Sequence, residues 1–165
     1  MNRYILILLL LLSSCNREGG LNEQLSNIIN KEIVFEDSTP KTKELFTVVH
    51  YVDSIGCIPC KLRPQDWITF QGRIDSLYNN NVKIVFVSHI NAIRDLRKLM
   101  VARNLYNIDV LPDSANKWRN GNQIGNNQLF YTMLLDSKNK VLVVGEPFLN
   151  EKMMALYDDA IIKRK

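Results

Sequence analysis

The chain has 165 residues and a formal net charge of +4 at pH 7, a length that suits one domain with a single hydrophobic core. Lysines and arginines are spread along the sequence, and the basic end Lys163-Arg164-Lys165 is typical of a solvated tail. Length and charge therefore argue against a second domain and against a nucleic acid partner.

The N-terminus has the layout of a secretory signal. Arg3 supplies a positive charge, an unbroken apolar run extends from Tyr4 to Leu12, and two serines then lead to Cys15. The run is shorter than the roughly 20 apolar residues that a membrane-spanning helix needs. The pattern therefore favours a removable signal over a permanent transmembrane helix.

The segment Leu12-Ser13-Ser14-Cys15 resembles the lipobox of bacterial lipoproteins, in which the cysteine is lipidated and becomes the first residue of the mature protein. The resemblance implies a signal peptide over residues 1–14, a lipid on Cys15 and a polar tether over residues 15–20. We expect a lipoprotein of the bacterial cell envelope, anchored in the membrane through Cys15 and facing the periplasm. An ordinary secreted protein with a cysteine beside its cleavage site is the alternative.

Residues 21–165 are predicted to form one domain in which strands and helices alternate. Leu45–Val52 and Val82–Val87 are apolar, β-branched runs that predict buried strands, and each precedes a stretch with helical spacing. The other predicted elements, in chain order, are a helix from Leu21, a short strand at 32–35, a helix from Cys57 with the stripe Trp67, Phe70, Ile74, Leu77 and Tyr78, a helix with Ile93, Leu96, Leu99 and Met100, a strand at 108–111, a loop at 112–128, a hairpin of 129–135 and 141–144, and a helix with Met153, Met154, Tyr157 and Ile161.

This order, β-α-β-α-β-β-α, predicts an α/β fold. Alternating strands and helices indicate parallel strand pairs, and the short polar connection between the last two strands indicates an antiparallel hairpin. We therefore expect a mixed sheet with helices on both faces.

Two cysteines lie at the junction between the first buried strand and its helix. A helix N-terminus favours negative charge, so Cys57 is a candidate thiolate. Cys60, one turn further, is placed to attack a mixed disulfide formed at Cys57, and we expect the helix to shield it. Pro59 between them fixes φ and has no N–H to leave unpaired. Outside the cytoplasm such a pair can cycle between disulfide and dithiol.

The segment Cys57–Lys61, placed after the strand Leu45–Val52, resembles the active-site segment of the thioredoxin-like superfamily. Tyr131–Asp136 before a turn and a further strand is similar to membrane-anchored extracytoplasmic thiol-disulfide oxidoreductases of that superfamily. The resemblance implies a thioredoxin-like three-layer α/β/α fold with a mixed central sheet. It also implies that Cys57 is the nucleophile, that Cys60 is the resolving cysteine, that protein thiols or disulfides are the partners, and that no cofactor is required.

Three residues depart from the family's pattern. Gly56 stands where the family has an aromatic residue, Tyr51 where it often has a buried carboxylate or amide, and Phe130 where it has a cis-proline. Tyr51 and Asp53 lie on one face of the strand, so either is a candidate to lie under the cysteines. We expect a trans bond before Phe130, because cis bonds before non-proline residues are rare.

Three residues are candidates for docking a substrate. They are Pro59 between the cysteines, Phe130 at the position of the family's cis-proline, and Trp118 in the predicted loop. For Trp118, an indole that pins the loop to the domain is the more common role.

The pair Cys57 and Cys60 is compatible with three functions. A redox pair is favoured over a stable disulfide in a non-catalytic binding module, since structural disulfides gain most by closing long loops. A copper or zinc site with His50 or His89 as third ligand is the remaining alternative. His50 lies in a buried-looking strand, where a hydrogen-bonded core histidine is more common. The sequence therefore predicts an extracytoplasmic, lipid-anchored thiol-disulfide oxidoreductase.

Overall fold

The computed structural model describes residues 17–35, 44–78 and 80–163. The predicted signal peptide and the lipidation site Cys15 lie outside the described residues. Within them, no helix combines the length and the apolar character needed to cross a membrane.

Five described strands form one mixed sheet in the order β3-β2-β1-β4-β5. β1, β2 and β3 are parallel, whereas β4 is antiparallel to β1 and β5 to β4. All of β1 is buried, as expected of the central strand of a sheet covered on both faces. The strands are β1 Phe46–Val52, β2 Val82–His89, β3 Ile108–Asp113, β4 Thr132–Asp136 and β5 Val141–Val144.

Helices cover both faces of this sheet. Alternate residues of β1 face opposite ways, so Val48 and Val49 belong to different apolar cores. The first core contains side chains of α2, α3, α4 and α6, and the second contains side chains of α1 and α5. The helices are α1 Arg17–Ile28, α2 Ile58–Leu62, α3 Pro64–Leu77, α4 Ile93–Ala102, α5 Lys117–Gly121 and α6 Glu151–Ile162. The chain therefore has the predicted thioredoxin-like three-layer α/β/α fold.

The segment after α1 covers the outer edge of β5. The Asn30 N–H donates to the carbonyl of Val141 at 2.9 Å, and the Val141 N–H donates to the carbonyl of Lys31 at 2.9 Å. The strand predicted at 32–35 is instead an isolated bridge between Glu32 and Lys140. Because α1 begins at Arg17, residues 17–20 of the predicted tether are helical.

The single helix predicted after Cys57 is divided into α2 and α3. Arg63 lies between them with φ 52°, and Pro64 follows, which disfavours the right-handed helical conformation at the preceding residue. Most of the predicted apolar stripe is buried, but Leu77 in the last turn of α3 is 52% exposed.

The prediction of a loop over residues 112–128 is wrong. β3 continues to Asp113, a tight turn follows in which Ala115 and Asn116 have left-handed backbone angles, and α5 carries Trp118. The buried Asp113 carboxylate accepts the Trp118 N–H at 2.8 Å and the Arg119 N–H at 3.4 Å. This side chain stabilises a helix of one turn, which is too short to show a periodic apolar pattern. A 3-10 turn, Gln128–Phe130, delays the start of β4 to Thr132.

Replacing Gly145 and Gly72 by alanine should change the free energy of unfolding in opposite directions. Gly145 has φ +114°, and an added Cβ would lie 2.9 Å from Cε of Met153, so Gly145→Ala is expected to lower the free energy of unfolding by about 1–3 kcal/mol. Gly72 lies inside α3 with nothing within 4 Å of an added Cβ, so Gly72→Ala should raise it by about 0.5–1 kcal/mol. Urea unfolding measures both, and equal effects would contradict this description of the two backbones.

Candidate redox site at the start of helix α2

Cys57 caps the N-terminus of α2. Its backbone is extended, with φ −80° and ψ 104°, and its carbonyl accepts the Lys61 N–H at 3.1 Å. Cys57 and Cys60 form a disulfide with their Cα atoms 5.4 Å apart, and Pro59 lies in the first turn as predicted. The chain thus places the cysteine pair where the central strand leads into its helix.

Both cysteines are exposed. The expectation that the helix would shield Cys60 is wrong, because α2 has only five residues and points Leu62 into the core, with Ile58 packed partly against it. Cys60 is on the outer side of this single turn.

A small cavity of about 50 Å³ lies beneath α2. It exceeds the roughly 10–15 Å³ that one water molecule requires. Its lining includes the titratable side chains of His50, Asp53, Lys61, Tyr131 and Glu146. Helix α2, which carries the disulfide, therefore covers a group of ionisable side chains rather than a purely apolar surface.

Asp53 is one of the two carboxylates that line this cavity, the other being Glu146. It is 9% exposed, and its oxygens lie 3.2 and 3.4 Å from Nζ of Lys61. Its Oδ1 also accepts the Ile55 N–H at 3.1 Å. Of the two candidates on this face of the strand, Asp53 is thus the one linked to α2.

Tyr51 packs into the second core. Its ring stacks on Trp118 with centroids 5.9 Å apart, and its hydroxyl donates to Oδ1 of Asn116 at 3.3 Å. Burial, together with the nearby Asp113 carboxylate, raises the pKa of Tyr51 to about 12 despite the guanidinium of Arg119. Tyr51 is therefore a neutral core residue at physiological pH.

His50 is a hydrogen-bonded core histidine. Its Nδ1 lies 2.8 Å from Oγ1 of Thr132. The centroid of its ring lies 5.2 Å from that of Trp67 and 5.6 Å from that of Phe86. Burial lowers the pKa of His50 to about 4, although the Asp53 carboxylate acts in the opposite direction. His89, at the end of β2, accepts the Asn91 N–H at 3.2 Å through Nδ1.

A copper or zinc site is one alternative for the cysteine pair. Across residues 17–35, 44–78 and 80–163, no three histidine, cysteine, aspartate or glutamate side chains form a group that could hold a metal ion.

His50 should make stability depend on pH. Unfolded, His50 binds a proton below about pH 6.5, whereas the folded protein binds it only below about pH 4. The free energy of unfolding should therefore fall as pH decreases between these values, by up to about 3 kcal/mol. Urea unfolding at several pH values measures the slope of the free energy of unfolding against pH, for wild type and for His50→Asn, whose amide occupies the position of Nδ1. His89→Asn is the matched control, and equal slopes for wild type and His50→Asn would contradict the assignment.

The structure does not support side-chain docking by Trp118 or Phe130. Trp118 is 6% exposed and Phe130 is 4% exposed, because α5 and the turn before β4 fold onto the sheet. Trp118 packs against Tyr51 and Phe35 and thus fixes its segment to the domain. Pro59 remains exposed. The described residues contain no cis peptide bond, so the bond before Phe130 is trans as expected.

Two ion-pairing side chains near the cavity were not predicted. Arg63 lies 3.3 Å from Glu146, and its guanidinium is 4.9 Å from the ring centroid of Phe148. Burial raises the pKa of the Glu146 carboxyl, and Arg63 partly opposes this. Arg63 and Glu146 are 83 residues apart in sequence, so no local pattern reveals their contact.

Fold and site together define a thioredoxin-like domain with a Cys-x-x-Cys disulfide at the helix that follows its central strand. No protein-family model matches the chain, and no curated protein matches it.

Solved structures similar to the chain include three bacterial proteins. StoA of Bacillus subtilis has a TM-score of 0.47 and 22% sequence identity, and the match covers 70% of this chain and 84% of StoA. A thiol:disulfide interchange protein of Bacteroides sp. has a TM-score of 0.49 and 14% identity, and the match covers 73% of this chain and 75% of that protein. The thioredoxin domain of a thiol-disulfide oxidoreductase of Bacteroides vulgatus has a TM-score of 0.49 and 19% identity, and the match covers 74% of this chain and 79% of that domain.

Proposed function

We propose that the chain is a thiol-disulfide oxidoreductase that exchanges its Cys57–Cys60 disulfide with protein thiols or disulfides. The observation that carries this proposal is an exposed disulfide that closes the first turn of α2. A bridge across two residues restrains the unfolded chain little, so its placement at an exposed helix start is better explained by chemistry.

In the reductive direction, the Cys57 thiolate attacks one sulfur of a partner disulfide. A mixed disulfide forms, and the partner's other sulfur leaves as a thiolate that takes a proton from water. The Cys60 thiolate then attacks Sγ of Cys57 and releases the second partner thiol. The partner gains two electrons and Cys57 and Cys60 are oxidised to the disulfide. The same steps in reverse oxidise a partner dithiol.

Trapping of mixed disulfides tests this proposal. In Cys60→Ser the second step is lost, so proteins should accumulate on Cys57 and be released by reductant. Cys57→Ser is the matched control, and it also tests which cysteine reacts first, since both are exposed. Recovery of no mixed disulfide with either variant would overturn the proposal.

We also propose that lipidated Cys15 holds the domain on the bacterial envelope, facing the periplasm. The N-terminal sequence supports this, since a charged start, an apolar run and small residues precede Cys15. Cys15→Ala should move the protein from the membrane fraction to the soluble fraction. Unchanged membrane association would overturn this assignment.

A non-catalytic binding module is the second candidate. It is favoured by Phe130, which replaces the family's cis-proline and is buried with a trans bond before it. In that case the disulfide would persist in strong reductant, and partner binding would survive replacement of both cysteines by serine.

A further inference from the structure

A cleft of about 470 Å³ opens between α1 and the segment that follows α5. We call it the amide cleft, because asparagine and glutamine residues line both of its walls. Its floor includes Ile28, Ile124 and Phe130 of the second core. Neither Cys57 nor Cys60 lines it, and none of the described residues that line it carries a carboxylate. A volume of roughly 300–1,000 Å³ and an apolar floor with converging polar groups are typical of sites for small molecules.

The two walls of the amide cleft are fixed by the protein's own hydrogen bonds. Oδ1 of Asn122 accepts the Val34 N–H at 2.8 Å, and its Nδ2 donates to the carbonyl of Val34 at 2.9 Å. The guanidinium of Arg119 donates to the carbonyls of Ile124 and Gly125, both at 3.2 Å. Because these bonds hold both walls, the cleft is preformed, which lowers the cost of ordering it when a ligand binds.

Three amide side chains of the second wall have their oxygen ends engaged. Oε1 of Gln123 accepts from Nζ of Lys31 at 3.4 Å, and Oδ1 of Asn127 accepts a backbone N–H at 3.1 Å. Oδ1 of Asn126 accepts from the guanidinium of Arg119. Since each of these partners can only donate, the orientation of the three amides is determined. The ends left for a ligand are therefore the NH₂ groups, which are hydrogen-bond donors.

Lys31 supplies the positive charge of the amide cleft. Its Nζ donates to the carbonyl of Asn122 at 2.8 Å as well as to the side chain of Gln123. An ammonium group has three N–H donors, so one of them is left for a ligand. A cleft that offers donors and one positive charge is complementary to an anion with further acceptor oxygens.

We propose that the amide cleft binds a small organic carboxylate, with Lys31 bound to the carboxylate group and the amide NH₂ groups donating to other oxygens of the ligand. One ammonium group matches the single charge of a carboxylate, and the apolar floor suits a carbon skeleton. The inference goes beyond the proposed redox reaction and is independent of it, because neither Cys57 nor Cys60 lines the cleft.

Calorimetric titration of full-length protein at pH 7 tests the inference with two carboxylates on different skeletons, D-glucuronate and glutarate. Their uncharged counterparts are D-glucose and glutaramide, and inorganic phosphate is the simple anion. At least one carboxylate should bind with a Kd of about 1 mM or tighter. Its counterpart and phosphate should bind at least about tenfold more weakly. Binding of neither carboxylate, or equal binding of phosphate, would overturn the inference.

Two variants assign the binding to the amide cleft. Asn127→Asp keeps the oxygen that accepts the backbone N–H but replaces the donor NH₂ by a charged oxygen, so the affinity should fall at least about tenfold. Lys31→Met removes the cation and should cause a similar loss. The matched controls lie in α6, which packs into the first core on the other face of the sheet: Asn150→Asp at its N-cap and Lys152→Met in its first turn.

Both control variants should bind the carboxylate as wild type does. Asn127→Asp is the decisive variant, since aspartate caps the turn as well as asparagine does. Unchanged affinity in Asn127→Asp and Lys31→Met, or an equal loss in the control variants, would overturn the assignment of the ligand to this cleft.

Discussion

Cys57→Ser is expected to abolish the reduction of protein disulfides, because serine cannot form the mixed disulfide through which electrons pass. Turnover of a disulfide-containing protein by the chemically reduced chain measures this loss. Cys60→Ser should also lose turnover, but it should still react once, since Cys57 retains its thiol at the start of α2. The two variants therefore differ in whether a covalent intermediate forms.

Cys15→Ser is the control for the third cysteine of the chain. It should leave turnover by the purified protein unchanged. Because Cys60 is exposed as well, a mixed disulfide on Cys60 in the Cys57→Ser variant would reverse the two assigned roles. Full turnover in Cys57→Ser would contradict the proposed reaction altogether.

Trp67→Ala is expected to give the largest loss of stability, about 3–5 kcal/mol in the free energy of unfolding. Trp67 is fully buried. Its ring centroid lies 5.2, 5.1 and 5.0 Å from those of His50, Phe86 and Phe148. Replacement by alanine would open a large cavity between α3, the sheet and the segment before α6.

Leu77→Ala provides the comparison within the same helix. Leu77 belongs to the same predicted stripe but is 52% exposed, so its replacement should change the free energy of unfolding by less than about 0.5 kcal/mol. Chemical denaturation of both variants measures the difference. Similar losses for the two would contradict the observed packing of α3.

The order of strands and helices could be predicted because their signals are local. The apolar, β-branched runs of β1 and β2 predicted buried strands, and helical spacing predicted α3, α4 and α6. The position of the cysteine pair could also be predicted, because it depends only on a strand that ends shortly before Cys57. Short elements such as α5 were missed, since a single turn held by Asp113 has no period.

The surroundings of the cysteines could not be predicted from local patterns. The contact between Arg63 and Glu146 joins distant segments. Cys60 is exposed on a helix that turns Leu62 toward the core and ends at Arg63 after five residues. Tyr51 and Asp53 were equivalent in the sequence, and their roles are separated by the packing of Tyr51 on Trp118 and by the contact of Asp53 with Lys61.

The reduction potential of the Cys57–Cys60 disulfide tests the central proposal most directly. Full-length protein is equilibrated in redox buffers of defined potential, and the reduced fraction of Cys57 and Cys60 is measured by alkylation and mass spectrometry. A thiol-disulfide oxidoreductase should give a potential between about −270 and −120 mV. A pair that stays oxidised below about −300 mV would be a structural disulfide and would contradict the proposed function.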